Sequence, residues 1–191
     1  MNFESYELAA PISFEGGQIQ TLSIQEPDAL KLCNAQRAIE VDANPEAMSI
    51  FARDIVVACC GISSKVADLL PLGVTAAISD LVMTTIMAEV DGFEFDPSQD
   101  TIELNPPVNV GTIGYSELYV RSATTGEMIK ANSNLRNSQG PASDLKYRMS
   151  LVSQVCGIPI TTVHKFPAST VYKTAKVIEV FTNDGRGTGN S

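Results

Sequence analysis

Apolar positions along this chain change their period in a fixed order, and the order occurs twice. Residues Tyr6 to Phe14 and Gln18 to Gln25 read as extended runs on either side of Gly16-Gly17. Residues Ile102 to Val110 and Ile113 to Arg121 do the same around Gly111-Thr112. Apolar residues alternate with polar ones in the second arm of each pair (Ile19, Leu22, Ile24; Leu118, Val120), and glycine between two such runs predicts a β-hairpin.

The period then lengthens to that of a helix. Pro27 suits a first helical turn, with Asp28 favourable near the positive helix end. In the second half, Thr124 and Glu127 have the spacing of a capping box. A second helix is expected from Asn44-Pro45-Glu46, with Asn44 as N-cap, and its counterpart from near Ser143. Leu145, Met149, Val152 and Cys156 lie on one face of that counterpart. Both helices are expected to stop at a left-handed glycine, Gly61 or Gly157, with Ile62 or Ile158 folding back on the last turn. A short turn leads to Pro71 or Pro167. A final helix follows, bearing Val74, Ile78, Leu81, Val82 and Ile86 in one case and Val171, Ala175, Ile178 and Phe181 in the other.

A shift of 96 residues lays one series on the other: Glu7-Leu8 on Glu103-Leu104, Leu22 on Leu118, Cys60-Gly61-Ile62 on Cys156-Gly157-Ile158, Pro71 on Pro167. The expectation is an α+β chain of two tandem units, each a β-hairpin followed by three or four short helices. The units cover residues 1–90 and 101–182, joined by an acidic linker at 91–100 and followed by a flexible Gly-rich tail at 183–191.

Charge separates the two series. Residues 1–96 carry 15 acids and 4 bases, a net of −11, whereas residues 97–191 carry 7 acids and 9 bases, a net of +2. The whole chain, at −9, is a poor match for nucleic acid or an anionic membrane. The contrast between halves is what solvated faces accumulate. It also suits head-to-tail self-association, or a basic partner segment meeting the first half. The first residues have neither a basic nor an apolar stretch, so no secretory signal is expected. The most apolar region, Val66 to Val90, is interrupted by Asp68, Asp80, Glu89 and Pro71 and reads as core.

Catalytic chemistry is sparse. The sole imidazole, His164, has no nucleophile-elbow serine elsewhere to work with. Cys33, Cys59, Cys60 and Cys156 sit in apolar surroundings without CxxC spacing, as reduced core thiols of a cytosolic protein do. Gly185-Arg186-Gly187-Thr188-Gly189 has glycines but no strand before it, no helix after it and no Gly-Lys-Ser/Thr triplet. Asp91, Glu94, Asp96 and Asp100 lack EF-hand spacing and read as a solvated linker. No catalytic residue, cofactor or metal is therefore expected. Helices with broad apolar faces remain, and their excess over core needs suits a partner helix in a groove. Candidate partner-binding positions are Ile50, Phe51, Val57, Leu81, Ile86, Met149, Val152 and Phe166.

Glu7-Leu8-Ala9-Ala10-Pro11-Ile12 followed by Gly16-Gly17, then Leu22-Ser23-Ile24-Gln25-Glu26-Pro27-Asp28-Ala29-Leu30, resembles the opening of the tail assembly chaperones of contractile-tailed phages, the protein E-like group. Leu118-Tyr119-Val120-Arg121-Ser122-Ala123-Thr124-Thr125-Gly126-Glu127-Met128 is similar to the same segment and keeps its Arg and its Thr-x-Gly-acid portion. Cys60-Gly61-Ile62-Ser63 and Cys156-Gly157-Ile158-Pro159 resemble the family's later small-Gly-apolar turn. The likeness covers nearly the whole of each series, although typical members have one unit and neither series here has the full motif.

The resemblance implies a non-enzymatic protein of the host cytoplasm that binds and shields the tape measure protein before the tail tube polymerises, and that leaves before the virion is complete. It also implies contact with the tail tube protein, and a longer form made by frameshifting that would overlie the Gly-rich tail. Alternatives are a virion structural or baseplate-assembly component, and a small enzyme using His164 with a thiol.

Overall fold

The computed structural model describes residues 5–183. It is an α+β structure of two antiparallel hairpins and eight helices among those residues. β1 (Tyr6–Phe14) and β2 (Gly17–Leu22) open the first half. They are followed by α1 (Ala29–Gln36), a single 3-10 turn (Arg37–Ile39), α2 (Pro45–Cys60), the one-turn α3 (Ser64–Ala67) and the long α4 (Leu72–Asp91). β3 (Thr101–Val110), β4 (Ile113–Tyr119), α5 (Thr125–Asn132), a 3-10 turn (Ser133–Leu135), α6 (Pro141–Val155), α7 (Ile160–Val163) and α8 (Ala168–Asn183) repeat the order. Ala29 and Thr125, Pro45 and Pro141, and Leu72 and Ala168 open matching helices, each pair 96 positions apart.

The hairpins match residue for residue. Tyr6 faces Leu22 as Ile102 faces Leu118, and Phe14 faces Gly17 as Val110 faces Ile113. Each ladder breaks register at the same place, between Glu7 and Ile12 or between Glu103 and Val108. The base of each hairpin is buried, through Leu8 and Leu22 or through Ile102, Leu104 and Leu118. Ile12, Ile19, Val108 and Val110 pack partly buried against the core, with Tyr115 edge-on to Phe166 at 5.3 Å. The two sheets remain separate.

Local signals set the helix ends. The Asn44 side chain accepts from the Ala47 N–H at 2.9 Å and opens α2. Thr124 and Glu127 form the full capping box on α5. Gly61 and Gly157 both sit at φ 67°, a conformation a Cβ disfavours, and Ile158 then donates its N–H back to the Ser153 carbonyl at 3.0 Å.

Several expectations need correction. Pro27 lies outside α1, which starts at Ala29 with Asp28 as its cap; the Asp28 carboxylate accepts from the Lys31 N–H at 2.8 Å. α6 starts at Pro141, ahead of Ser143, because proline at the first turn sacrifices no intrahelical donor. The short turns before Pro71 and Pro167 each contain one helical turn, α3 or α7. In the linker, the carboxylates are exposed but the phenylalanines are anchored. Phe95 meets Phe181 edge-on at 5.5 Å, and Phe93 lies under the Lys173 ammonium.

The halves share one core. Leu32, Ile55, Val56, Ile78 and Ile86 from the first join Leu145, Met149, Val152, Phe166 and Ile178 from the second in a single buried cluster. Each such side chain contributes about 1.5–3 kcal/mol by leaving water. The junction is asymmetric. α1 lies across α6 and α8, while α4 runs against α8. The Ala29 N–H donates to the Phe166 carbonyl, the Ala168 N–H to the Pro27 carbonyl, and the Cys33 thiol to the Ala142 carbonyl.

Two acids of the first half cap helices of the second. Glu40 accepts from the Ala142 and Ser143 amides at 2.7 and 3.1 Å and from the Ser143 hydroxyl. Glu26 accepts from the Ser169 amide at 2.6 Å. Negative charge is favoured at a helix N-terminus, so part of the charge contrast between halves is used inside the molecule.

Candidate partner-binding face

α4 carries the most exposed apolar surface. Its 20 residues include six on the core side: Thr75, Ile78, Ser79, Val82, Ile86 and Val90. Leu72, Leu81 and Met87 are exposed on the outward side together with Ala76, Ala77 and Ala88. At 3.6 residues per turn these positions form two flanks. Leu72, Ala76 and Met83 face α2, where Met48 and Phe51 complete a groove of about 420 Å³. Ala77, Leu81 and Ala88 fall on the opposite flank. Asp80 also lines the groove, with Ser49 and Ser79.

The eight candidate residues separate on this geometry. Leu81 is 43% exposed, and Ile50 and Val57 are half-buried on α2. Phe51 is buried and forms part of the groove lining. Ile86, Met149, Val152 and Phe166 are core residues, a correction to their reading as partner-binding positions. The same period that marks an outward apolar stripe marks an inward one, and here the core claims these side chains. Leu81, which periodicity groups with Ile78 and Val82, is exposed while those two are core.

Leu72 and Met87 are exposed apolar positions that periodicity did not single out, and Met48, part of the broad apolar face of α2, is exposed as well. A signal existed in the 96-residue alignment. Met48 aligns with Asp144 and Met83 with Glu179, so the first half has methionine where the second has a charge. Those acids are engaged: Arg148 pairs with Asp144 at 2.8 Å and lies 3.6 Å from Glu179.

The remaining concavities are more polar. One, also about 420 Å³, lies between β3 and α8 and is lined by Glu26, Glu89, Lys165 and Lys173 together with Thr174. Burial pushes the Glu26 carboxyl up, against the Ser169 hydrogen bonds that favour its charged form. His164 lines a shallow recess with Lys146 and Gln154; burial, then Lys165, pushes its pKa down. Burial pushes the thiols of Cys59 and Cys156 up to about 12 and that of Cys60 up to about 11, so thiolate is scarce near neutral pH. Among the described residues no group of three or more His, Cys, Asp or Glu side chains is placed to hold a metal ion. The Gly185–Gly189 stretch lies outside the described residues.

α4 is also long and apolar enough, by length and composition, to cross a membrane. Its inward face is committed to the core. Comparison with known protein families, curated proteins and solved structures finds no match for this chain.

Proposed function

We propose that this protein is a non-enzymatic phage tail assembly chaperone that holds the tape measure protein soluble in the host cytoplasm until the tail tube polymerises. The observation that carries the reading is the outward face of α4. It presents Leu81, Met87 and neighbouring alanines along a 20-residue helix whose other side is fixed in the core. A long helical client with unsatisfied apolar stripes is stabilised by a rigid helix face of that kind, and no bond needs to be made or broken. The resemblance to the protein E-like group supports the choice of client. Its motif residues have a structural task, since Arg121 and Glu127 are joined by a two-pronged ion pair at 2.7 and 3.0 Å beside the capping box. The tail tube protein is the second partner in this reading, and a frameshifted longer form would begin in the Gly-rich tail.

The test is co-expression with the tape measure protein encoded nearby. The wild-type chain raises the soluble fraction of that protein several-fold, and the Leu81→Glu/Met87→Glu double variant loses most of the gain while keeping its own helicity. No gain with wild type would refute the chaperone reading. Stoichiometric recovery of this protein in purified virions would favour a structural component instead. A phenotype for His164→Ala would favour an enzyme.

A further inference from the structure

The junction between the halves is directional, and a copy of each side of it is left open. At the junction α1 donates its outer face and the α6/α8 end receives it. Advancing the donor by 96 positions gives α5, and moving the receiver back by 96 gives the α2/α4 end. Exposure follows this relation. Cys33 on α1 is wholly buried at the junction, whereas its counterpart Ile129 on α5 is 58% exposed. Ala168 at the start of α8 is wholly buried, whereas its counterpart Leu72 at the start of α4 is 65% exposed.

We propose that a second copy of this chain docks α5 into the α2/α4 groove, repeating between molecules the contact that α1 makes with α6 and α8 within one. Charge favours this occupant, because the donor half has a net of +2 and the receiving half a net of −11. In the corresponding register Ile129 lies against the start of α2 at Glu46, as Cys33 lies against Ala142, and Asn132 reaches Ala76, as Gln36 reaches Tyr172. Arg136, which stands where Glu40 stands in the first half, comes beside Glu46. The capping interaction of the internal junction is thereby exchanged for an ion pair. One difference weakens the copy. Within the chain Gly140 lets the Glu40 backbone approach so closely that a Cβ would overlap its carbonyl oxygen, and the equivalent position in the groove is Asn44. The second molecule therefore sits farther back, and association is concentration-dependent where the internal junction is permanent. Because donor and receiver are different surfaces, the contact is heterologous and builds chains or rings instead of closing at a twofold dimer. Leu81 lies on the other flank of α4, so this inference stands or falls apart from the chaperone reading.

Sedimentation velocity over a hundredfold concentration range, at low and high salt, provides the test. Wild type is expected to pass from the 20.4 kDa monomer to a ladder of higher species that recedes as salt screens the halves. Ile129→Arg and Leu72→Arg each change an exposed side chain, and circular dichroism confirms that each variant folds. Each alone is expected to remain monomeric. Mixed together, the intact α5 of Leu72→Arg meets the intact groove of Ile129→Arg, and the pair stops at about twice the monomer mass. A wild type that stays monomeric throughout would overturn the proposal, as would an assembly that both variants retain, or a mixture that yields no complex.

Discussion

Glu127 illustrates how much a single side chain does here. Its carboxylate accepts from both guanidinium arms of Arg121, from the Thr124 amide at 2.8 Å and from the Thr124 hydroxyl. The Arg121 hydrogen bonds, opposed by some burial, hold its pKa down at about 2. A carboxyl depressed in the folded state stabilises the fold above its unfolded pKa, about 4.3, and that contribution is lost as pH falls toward 2. Glu127→Gln is therefore expected to cost on the order of 1 kcal/mol near neutral pH, after discounting for solvent screening, and to flatten the loss of stability between about pH 5 and 2. Urea unfolding across that pH range checks both. The Thr124–Glu127 spacing makes the cap legible in sequence. The Arg121 pair depends on how β4 leads into α5, which spacing does not encode.

Helices occupying matched positions in the two halves end up with different duties. α2 caps itself with Asn44, whereas α6 has Gly140 at the same place and takes its cap from Glu40 across the junction. Burial opposes charge on Glu40, but the Ser143 and Ser138 hydroxyls and the Ala142 and Ser143 amides outweigh it and hold the carboxyl below its ordinary pKa. Glu40→Ala is expected to destabilise the chain by about 1–2 kcal/mol, the usual worth of a lost N-cap with its share of the helix dipole. Asn44→Ala is expected to cost less, about 1 kcal/mol, since that cap is local and exposed. Chemical denaturation of the two variants side by side measures the difference. α4 and α8 diverge in the same way. Both are apolar, but α8 is covered by α1 and α4, and among the described residues nothing fills the groove flank of α4.

The chain behaves as one cooperative body if its single core governs folding. Ala29, Cys33 and Gln36 of the first half are buried and bonded to the second, through the Ala29 N–H to the Phe166 carbonyl, the Cys33 thiol to the Ala142 carbonyl and the Gln36 amide to the Tyr172 hydroxyl. Circular dichroism follows helices of both halves. Tyrosine fluorescence follows mainly the second, which holds Tyr115, Tyr119, Tyr147 and Tyr172 against Tyr6 in the first. The two probes are expected to give coincident urea transitions with one midpoint. Two separate midpoints would mean that residues 1–96 and 97–191 fold independently.

Hairpins, the local caps at Asn44 and Thr124, and the glycine stops were determined by the sequence itself, because each rests on contacts a few residues apart or on a backbone angle that only glycine accepts easily. The Glu40 and Glu26 caps, by contrast, came from across the junction. Which apolar stripes are core and which are surface was decided only in three dimensions. Ile86 and Leu81 occupy the same helix with similar side chains, and nothing local separates them. Their fates depend on where α2 and α8 lie. The same holds for Cys33 and Ile129: equal positions in a repeating pattern, one enclosed and one in water, because two halves in a row can satisfy one junction and leave both outer ends open.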